Sequence, residues 1–102
     1  MSKIHVYIKD PGKPPRSVHI SNTLENLQKT VGGYIETVTL ASDLVIICNE
    51  EGIINDLPYN CNVCGHMLFG TVIFCGAEGD EFGDVPYSYK KFKELFPELW
   101  RQ

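Results

Sequence analysis

The sequence predicts an α+β domain in which two helices lie on a mixed, mostly antiparallel sheet. Three observations support this fold class: short apolar or alternating segments typical of strands, a short helix closed by Gly32 and Gly33, and a helical pattern near the C-terminal end. The predicted order is β-β-α-β-β-β-α, with room for one further short strand, and residues 1–102 form a single domain. By analogy, the first five elements also follow a β-grasp order.

A hairpin is predicted at the start of the chain. Two runs of alternating apolar residues are separated by a segment rich in proline and glycine, residues 10–15. A turn centred on Gly12 places His5 opposite His19, and a turn centred on Lys13 aligns the apolar faces equally well. The sequence leaves both registers open. Two imidazoles on the solvent face with no third ligand are read as polar surface.

A short helix follows this hairpin. Asn22 can cap the free backbone amides, and Glu25 lies three residues further on, as in a capping box. Leu24, Leu27 and Val31 share one face, which is predicted to lie on the sheet. The glycine pair then ends the helix, because a positive φ is commonly needed there. Carbonyls exposed at a helix C-terminus repel phosphate, so the glycine pair is not a phosphate-binding loop.

The middle of the chain is predicted to form a second hairpin. Residues 34–40 are rich in β-branched side chains, and residues 44–48 form a continuous apolar run typical of a buried strand. After a turn at residues 50–52, the isoleucines at 53–54 are predicted to begin a return strand. Residues 57–60 are predicted to form a loop.

The last part of the chain is predicted to contain a strand, an acidic loop and a helix. Residues 71–75 have strand composition, and residues 76–83 form the acidic loop. The helical spacing begins at Pro86 and ends near Phe96, because the next residue is a proline. Trp100 is predicted to pack back onto the domain.

The charge balance argues against some classes of partner. Nine Lys and Arg residues stand against thirteen Asp and Glu residues, which gives a formal charge of −4. A protein that binds the phosphate backbone directly usually carries a basic stripe, so direct DNA binding is not expected. The longest apolar run is far shorter than the roughly 20 residues of a membrane span, and no apolar leader is apparent. We expect a soluble cytoplasmic protein with no membrane partner.

The cysteines raise the question of zinc. Cys61, Cys64 and His66 resemble half of a zinc site, whereas Cys48 and Cys75 end apolar strands, where a free cysteine behaves as a small hydrophobe. A zinc-stabilised structural domain therefore remains an alternative. We expect reduced structural cysteines and predict neither a bound metal nor a cofactor.

The sequence has no arrangement of residues typical of catalysis. It contains no nucleophile elbow, phosphate-cradling loop, metalloprotease helix or paired-carboxylate motif. We therefore expect that the protein is not an enzyme.

Polar and aromatic residues near the predicted strand ends form the candidate binding surface. Turn chemistry alone can explain such residues, but loops also carry binding function disproportionately. The candidate site residues for a ligand or partner are Tyr34, Glu36, Asn49, Glu50, Tyr59 and Asn60.

Four sequence blocks indicate a lineage. They are Val-Gly-Gly-Tyr-Ile-Glu at 31–36, Asn-Glu-Glu-Gly at 49–52, Leu-Pro-Tyr-Asn at 57–60 and Gly-Thr-Val-Ile-Phe-Cys-Gly at 70–76. In these blocks the chain resembles a family of uncharacterised small domains encoded by bacteriophages, plasmids and conjugative elements, chiefly of Gram-positive bacteria. The resemblance covers residues 3–96. The family pattern has an arginine soon after the third block, where this chain has Cys61.

The resemblance implies an accessory protein of a mobile element, a group in which small non-enzymatic inhibitors of host defence are common. Our first hypothesis is a non-catalytic protein that binds and inhibits a host protein or protein–nucleic acid complex. It would use the acidic loop, the turn at Asn49 and Glu50, and the aromatic C-terminal segment. A second hypothesis is sequestration of a small nucleotide, with Tyr34, Asn49 and Asn60 contacting the base. A homodimer through exposed aromatic side chains is compatible with both.

Overall fold

The computed structural model describes residues 3–101, which form eight strands, two α-helices and one short 3-10 helix. The predicted α+β class with two helices is confirmed. In chain order, the elements are β1 (Lys3–Lys9), β2 (Arg16–Ser21), α1 (Leu24–Val31), β3 (Ile35–Ala41), β4 (Leu44–Asn49), β5 (Tyr59–Val63), β6 (His66–Phe69), β7 (Val72–Glu78), β8 (Glu81–Gly83), α2 (Tyr89–Leu95) and the 3-10 helix Pro97–Trp100.

The central sheet has the strand order β2-β1-β7-β4-β3, and β8 pairs with β7 outside this path. Strands β5 and β6 form a separate two-stranded hairpin. All strand pairs among residues 3–101 are antiparallel. A β-grasp sheet has a parallel pair at its centre, whereas β1 and β7 are antiparallel, so the β-grasp analogy is wrong. The mostly antiparallel character of the sheet is as predicted, but the predicted mixed sheet is not found, because no parallel pair occurs within residues 3–101.

The register of the first hairpin is the one centred on Gly12. Val6 pairs with Val18, and His5 pairs with His19. Gly12 has a φ of 75°, which glycine adopts without a steric penalty. The two imidazole rings stack with their centroids 4.9 Å apart.

Thr23, and not Asn22, caps α1. The Thr23 hydroxyl accepts a hydrogen bond from the backbone amide of Asn26 at 3.1 Å. The Asn22 side chain instead donates to the carbonyl of Phe82 at 3.0 Å, which ties the start of the helix to β8. The predicted Asn22 cap is therefore wrong by one residue.

The C-terminal end of α1 follows the prediction. Gly32 has a φ of 83°, and its amide donates to the carbonyl of Gln28 at 2.8 Å. Leu27 and Val31 are buried against the sheet, whereas Leu24 is 58% exposed. The predicted apolar face is thus shorter than the sequence indicated.

The central sheet separates two apolar cores. One lies between the sheet and α1, and it includes Leu27, Ile47 and Cys75. The other lies between the opposite face of the sheet and a cover made of the β5–β6 hairpin, α2 and the 3-10 helix. Cys48 belongs to this second core, and Trp100 packs against it as predicted.

Two predicted segments differ in the structure. Residues 53–54 lie in a turn and form no return strand, and residues 59–60, predicted as loop, begin β5. The predicted acidic loop is mainly the end of β7 and all of β8, joined by a tight turn. The last α-helix ends at Leu95, as the proline at 97 predicted. Within residues 3–101, none of the helices has the length and apolarity required to cross a membrane.

Candidate functional site

An open groove of about 550 Å³ lies on the face of the sheet opposite α1. One wall is formed by β3 and the end of β4, the other by β6, and the turn after β4 closes one side. The residues that line it are Glu36, Val38, Cys48, Asn49, Glu50, Glu51, Gly52, Ile53, Ile54, Gly65, His66, Met67, Leu68 and Phe69. We call this feature the acidic groove.

The turn after β4 presents two isoleucines to solvent. Ile53 is 74% exposed and Ile54 is 80% exposed. Backbone hydrogen bonds hold the turn, from the amide of Leu57 to the carbonyl of Gly52 at 2.9 Å and from Asn55 to Glu51 at 2.8 Å. These bonds hold the backbone that carries the two apolar side chains at the rim of the groove.

The Asn49 side chain links this turn to α1 through two hydrogen bonds. Its side-chain amide donates to the carbonyl of Val31 at 3.1 Å, and its side-chain oxygen accepts from the amide of Glu51 at 2.8 Å. A Cβ at Gly33 would come within 2.9 Å of the Asn49 amide nitrogen, so the glycine leaves room for this contact. The predicted site residue Asn49 is buried and positions the groove.

The groove is acidic. Glu36, Glu50 and Glu51 line it and are exposed, and His66 is the one basic side chain among its described lining residues. Burial, together with the nearby Glu36 carboxylate, raises the pKa of the Cys48 thiol to about 11. Cys48 therefore remains a neutral thiol at physiological pH, and the groove carries a negative charge beside aliphatic surface.

Tyr59 and Asn60 lie at a different place, a cavity of about 240 Å³ that is also lined by Lys9, Cys61, Asn62, Glu98 and Arg101. The Asn60 side chain makes three hydrogen bonds. Its oxygen accepts from Lys9 Nζ at 2.9 Å, and its nitrogen donates to the carbonyls of Lys9 at 2.8 Å and Gly70 at 2.7 Å. Lys9 is only 2% exposed, and burial lowers the pKa of its ammonium group. Asn60 thus holds a buried cation inside the fold.

The six predicted site residues therefore divide into separate groups. Glu36, Asn49 and Glu50 belong to the acidic groove, Tyr59 and Asn60 line the smaller cavity, and Tyr34 lines neither. Tyr34 is 67% exposed, and its carbonyl accepts from the amide of Glu50 at 2.9 Å.

Sequence reasoning missed the apolar and imidazole members of the groove, which are Ile53, Ile54, His66 and Met67. The signal for the two isoleucines was their position directly after the turn at 50–52. An apolar pair directly after a turn predicts a buried strand as readily as an exposed rim of a groove. The histidine and the methionine lie on β6, whose approach to the sheet no local pattern indicates.

Two surfaces named in the first hypothesis lie outside the groove. The acidic residues around β8 do not line it, and Asp84 accepts a hydrogen bond from the backbone amide of His5 at 2.8 Å. The C-terminal aromatic residues mostly pack inward: Phe92 is fully buried, and Trp100 donates to the Tyr89 hydroxyl at 3.2 Å. The turn after β4 is the part of that hypothesis that belongs to the groove.

The cysteines and His66 do not converge on one point. Cys61 is buried in the core, whereas Cys64 is exposed in the β5–β6 turn. Cys48 and Cys75 lie on opposite faces of the sheet. Among residues 3–101, no three His, Cys, Asp or Glu side chains are placed to hold one metal ion. The zinc alternative has no geometric support in this part of the chain.

The buried thiols predict a loss of stability at alkaline pH. Burial raises the pKa of Cys75 to about 12, well above the value of about 8.5 for a thiol in an unfolded chain. Its contribution to stability is complete below about pH 8.5 and falls as the pH rises towards 12, because only the unfolded chain releases the proton. We expect the decline in unfolding free energy above about pH 9.5 to be shallower in Cys75→Ala, by about 1.4 kcal/mol per pH unit.

Urea unfolding between about pH 7.5 and pH 11 measures this slope. Cys64→Ala is the matched control, because that thiol is exposed, and it should keep the wild-type slope. In wild type and in Cys75→Ala alike, the buried thiols of Cys48 and Cys61 add to the alkaline loss of unfolding free energy. The lowered pKa of Lys9 partly offsets this loss. If the unfolding free energy of wild type and of Cys75→Ala falls equally with pH, the raised pKa of the Cys75 thiol is contradicted.

The fold and the groove together define a small α+β domain with an open groove lined by carboxylates and aliphatic side chains. The family described as "Domain of unknown function (DUF3846)" matches residues 4–97, and the chain belongs to that family. The resemblance to a family of uncharacterised small domains is confirmed at this level. No curated protein and no solved structure matches the chain.

Proposed function

We propose that the protein is a non-catalytic binding protein whose acidic groove covers a cationic, partly apolar segment of a host macromolecule and thereby inhibits it. The observation that supports this proposal is the combination, in one groove of about 550 Å³, of three carboxylates with strongly exposed aliphatic side chains. Exposed apolar side chains that converge on a concave surface are typical of an interaction site.

The two components of the groove have different roles in binding. Burial of an exposed aliphatic side chain such as Ile53, Ile54 or Met67 contributes about 1.5–3 kcal/mol, from which the entropy lost on association is subtracted. The carboxylates of Glu36, Glu50 and Glu51 speed the encounter with a cationic partner and fix its orientation. Aliphatic contact thus supplies affinity, and charge supplies selectivity.

The charge of the groove and the sequence resemblance support the proposed class of target. Host proteins that bind nucleic acid present cationic surfaces, and an acidic groove competes for these surfaces. The resemblance of the four sequence blocks to small domains of phages, plasmids and conjugative elements supports a counter-defence role in the bacterial host cytoplasm. We propose a host protein or protein–nucleic acid complex as the target and no direct contact with DNA.

The chemistry of the groove supports a role without catalysis. Cys48 is the one thiol among the described residues that line the groove, and its raised pKa keeps it a neutral thiol that donates to the carbonyl of Glu36 at 3.6 Å. The groove is therefore better suited to holding a chain segment than to attacking one.

Sequestration of a nucleotide is the alternative, and the charges of the groove argue against it there. Three carboxylates repel phosphate, and His66 is the one basic side chain among the described lining residues. The smaller cavity offers Lys9 and Arg101, but the Lys9 ammonium already donates to Asn60. A thermal-shift panel of nucleotides tests this alternative, because a tight ligand must raise the melting temperature.

Selection from a displayed library of random heptapeptides tests the proposed function. We expect the wild-type protein to enrich peptides that combine Lys or Arg with aliphatic residues. The double variant Glu50→Lys/Glu51→Lys should lose this enrichment, and the control Glu94→Lys, on the exposed side of α2, should keep it. No enrichment with wild type, or the same peptides from wild type and the double variant, would contradict the proposal.

A further inference from the structure

Strand β3 is the outer strand of the central sheet, and its free edge borders the acidic groove. On its other side it pairs with β4, with Glu36 opposite Cys48 and Val38 opposite Ile46. Within residues 3–101 no strand pairs with the outer side of β3. Its outward backbone groups are therefore available to another chain.

The hydrogen-bond pattern identifies these outward groups. The amide of Glu50 donates to the carbonyl of Tyr34, which marks the 34–50 pair as hydrogen-bonded. Bonded and non-bonded pairs alternate along an antiparallel ladder, so the backbone groups of Glu36 and Val38 also point towards β4. The amides and carbonyls that point outwards belong to Ile35, Thr37 and Thr39.

Apart from Glu36 and a register shift at its far end, the edge has little of the usual protection against pairing. Natural edge strands are commonly blunted by lysine, proline or a bulge. The sequence Ile-Glu-Thr-Val-Thr-Leu-Ala of β3 has neither lysine nor proline, and its register shift lies at the far end, between Thr39 and Ala41. Four of its seven residues are β-branched, which favours an extended backbone.

The side chains of β3 connect this edge to the groove. Glu36 and Val38 point into the acidic groove, whereas Ile35 packs with the core on the α1 side. An added strand would alternate in the same way, so every second side chain would enter the groove beside Glu36 and Val38. Backbone pairing and groove contact are thus available to a single extended segment.

Two occupants could pair with the free edge of β3, a second copy of this chain or a segment of a different protein, and charge favours the second. A second copy that pairs through β3 is related by a twofold axis perpendicular to the sheet, which places both acidic grooves on the same side, next to each other. The carboxylates of Glu36, Glu50 and Glu51 from each copy would then repel one another across the junction. A cationic segment of a different protein meets the opposite charge.

We propose that β3 receives an extended cationic segment of the partner as an added antiparallel or parallel strand, with alternate side chains in the acidic groove. This is β-strand addition, in which main-chain hydrogen bonds give affinity and pockets for alternate side chains give specificity. The inference rests on the proposed function and adds the mode of binding and the secondary structure of the bound segment.

Hydrogen exchange with a fixed probe tests this mode. The probe is the peptide acetyl-Thr-Lys-Thr-Leu-Thr-Lys-Thr-amide, which puts Lys and Leu on one face of a strand. We expect a saturating concentration to slow exchange of outward amides on β3, Ile35, Thr37 and Thr39, at least about tenfold. Exchange at Glu36 and Val38, already bonded to β4, should change little. The same peptide with Glu in place of Lys is the charge control.

Two sets of variants separate backbone pairing from other binding. Thr37→Pro removes one outward amide without removing a bond to β4, and it should weaken peptide binding at least about tenfold. Thr37→Val keeps the amide and should bind as wild type. The peptide is also N-methylated at alternate residues, in one version at the odd positions and in another at the even positions. Only the version that methylates the amides facing β3 should lose binding. This comparison keeps the test valid if Thr37→Pro does not fold.

Each other outcome overturns the inference in a distinct way. Binding that responds to Glu50→Lys/Glu51→Lys but shows no alternation in exchange or N-methylation leaves the groove function and removes strand addition. Enrichment of cationic peptides in the display selection without any binding of this probe has the same meaning. A wild-type dimer that Thr37→Pro dissociates assigns the edge to a second copy. Failure of both the selection and the probe removes the proposed function as well.

Discussion

Asn60→Ala is expected to lower the free energy of unfolding by about 3–5 kcal/mol, because several buried polar groups lose their partner at about 1–3 kcal/mol each. The substitution leaves the Lys9 ammonium without its hydrogen-bond acceptor and the carbonyls of Lys9 and Gly70 without their donor. All three groups lie in a part of the fold from which water is largely excluded, because Lys9 is only 2% exposed. Each unpaired group then carries its full desolvation cost.

Urea unfolding followed by circular dichroism measures this change. Asn62→Ala is the matched control, because Asn62 lies on the same strand but is exposed and accepts only from the amide of Gly65 at 3.1 Å. We expect that control to cost less than about 1 kcal/mol. Replacing both members of the pair, as Lys9→Met with Asn60→Leu, should recover part of the loss. A loss below about 1 kcal/mol in Asn60→Ala would show that the network does not hold the fold.

Gly76→Ala is expected to destabilise the protein by about 3–4 kcal/mol, at the upper end of the range for overpacked sites. A Cβ at Gly76 would lie 2.1 Å from the carbonyl oxygen of Asp84 and 3.0 Å from its carbonyl carbon. The obstacle is backbone, and it is fixed in place by hydrogen bonds from His5 to the Asp84 side chain and from Val85 to the His5 carbonyl, both at 2.8 Å. Neither β7 nor the segment after β8 can move away without breaking contacts to β1.

Thermal and urea unfolding of Gly76→Ala test this expectation. Gly79→Asn is the control, because Gly79 has a φ of 63° and open space around it, and asparagine tolerates that conformation. It should change the unfolding free energy by less than about 1 kcal/mol. Equal stabilities of the two variants would contradict the role of the close approach at Gly76. This contact also gives a physical reason for the last glycine of the fourth sequence block.

Features that depend on neighbours in the sequence could be predicted. The first hairpin, the end of α1 at Gly32 and the end of α2 before Pro97 follow from alternation, positive φ and the missing amide of proline. Each is decided within a few residues, where local chemistry dominates. The choice of Gly12 over Lys13 as the turn centre required the structure, because both align the same apolar faces.

Features that depend on distant contacts could not be predicted. Polar residues near strand ends often bind ligands, which predicts Asn49 and Asn60 as site residues, yet both are buried and bonded within the fold. The Lys9–Asn60 contact joins positions 51 residues apart, and no local pattern marks it. Ile53 and Ile54 have strand composition, but the internal hydrogen bonds of their turn leave them exposed.

A titration followed by nuclear magnetic resonance locates the proposed binding surface on the molecule. Backbone amide chemical shifts are recorded while the protein is titrated with a cationic peptide enriched by the display selection. We expect the large changes to fall on β3, on the turn after β4 and on β6, the elements that line the acidic groove. Large changes around Lys9, Cys61 and Arg101, with none on β3 or the turn, would place binding at the smaller cavity and contradict the account.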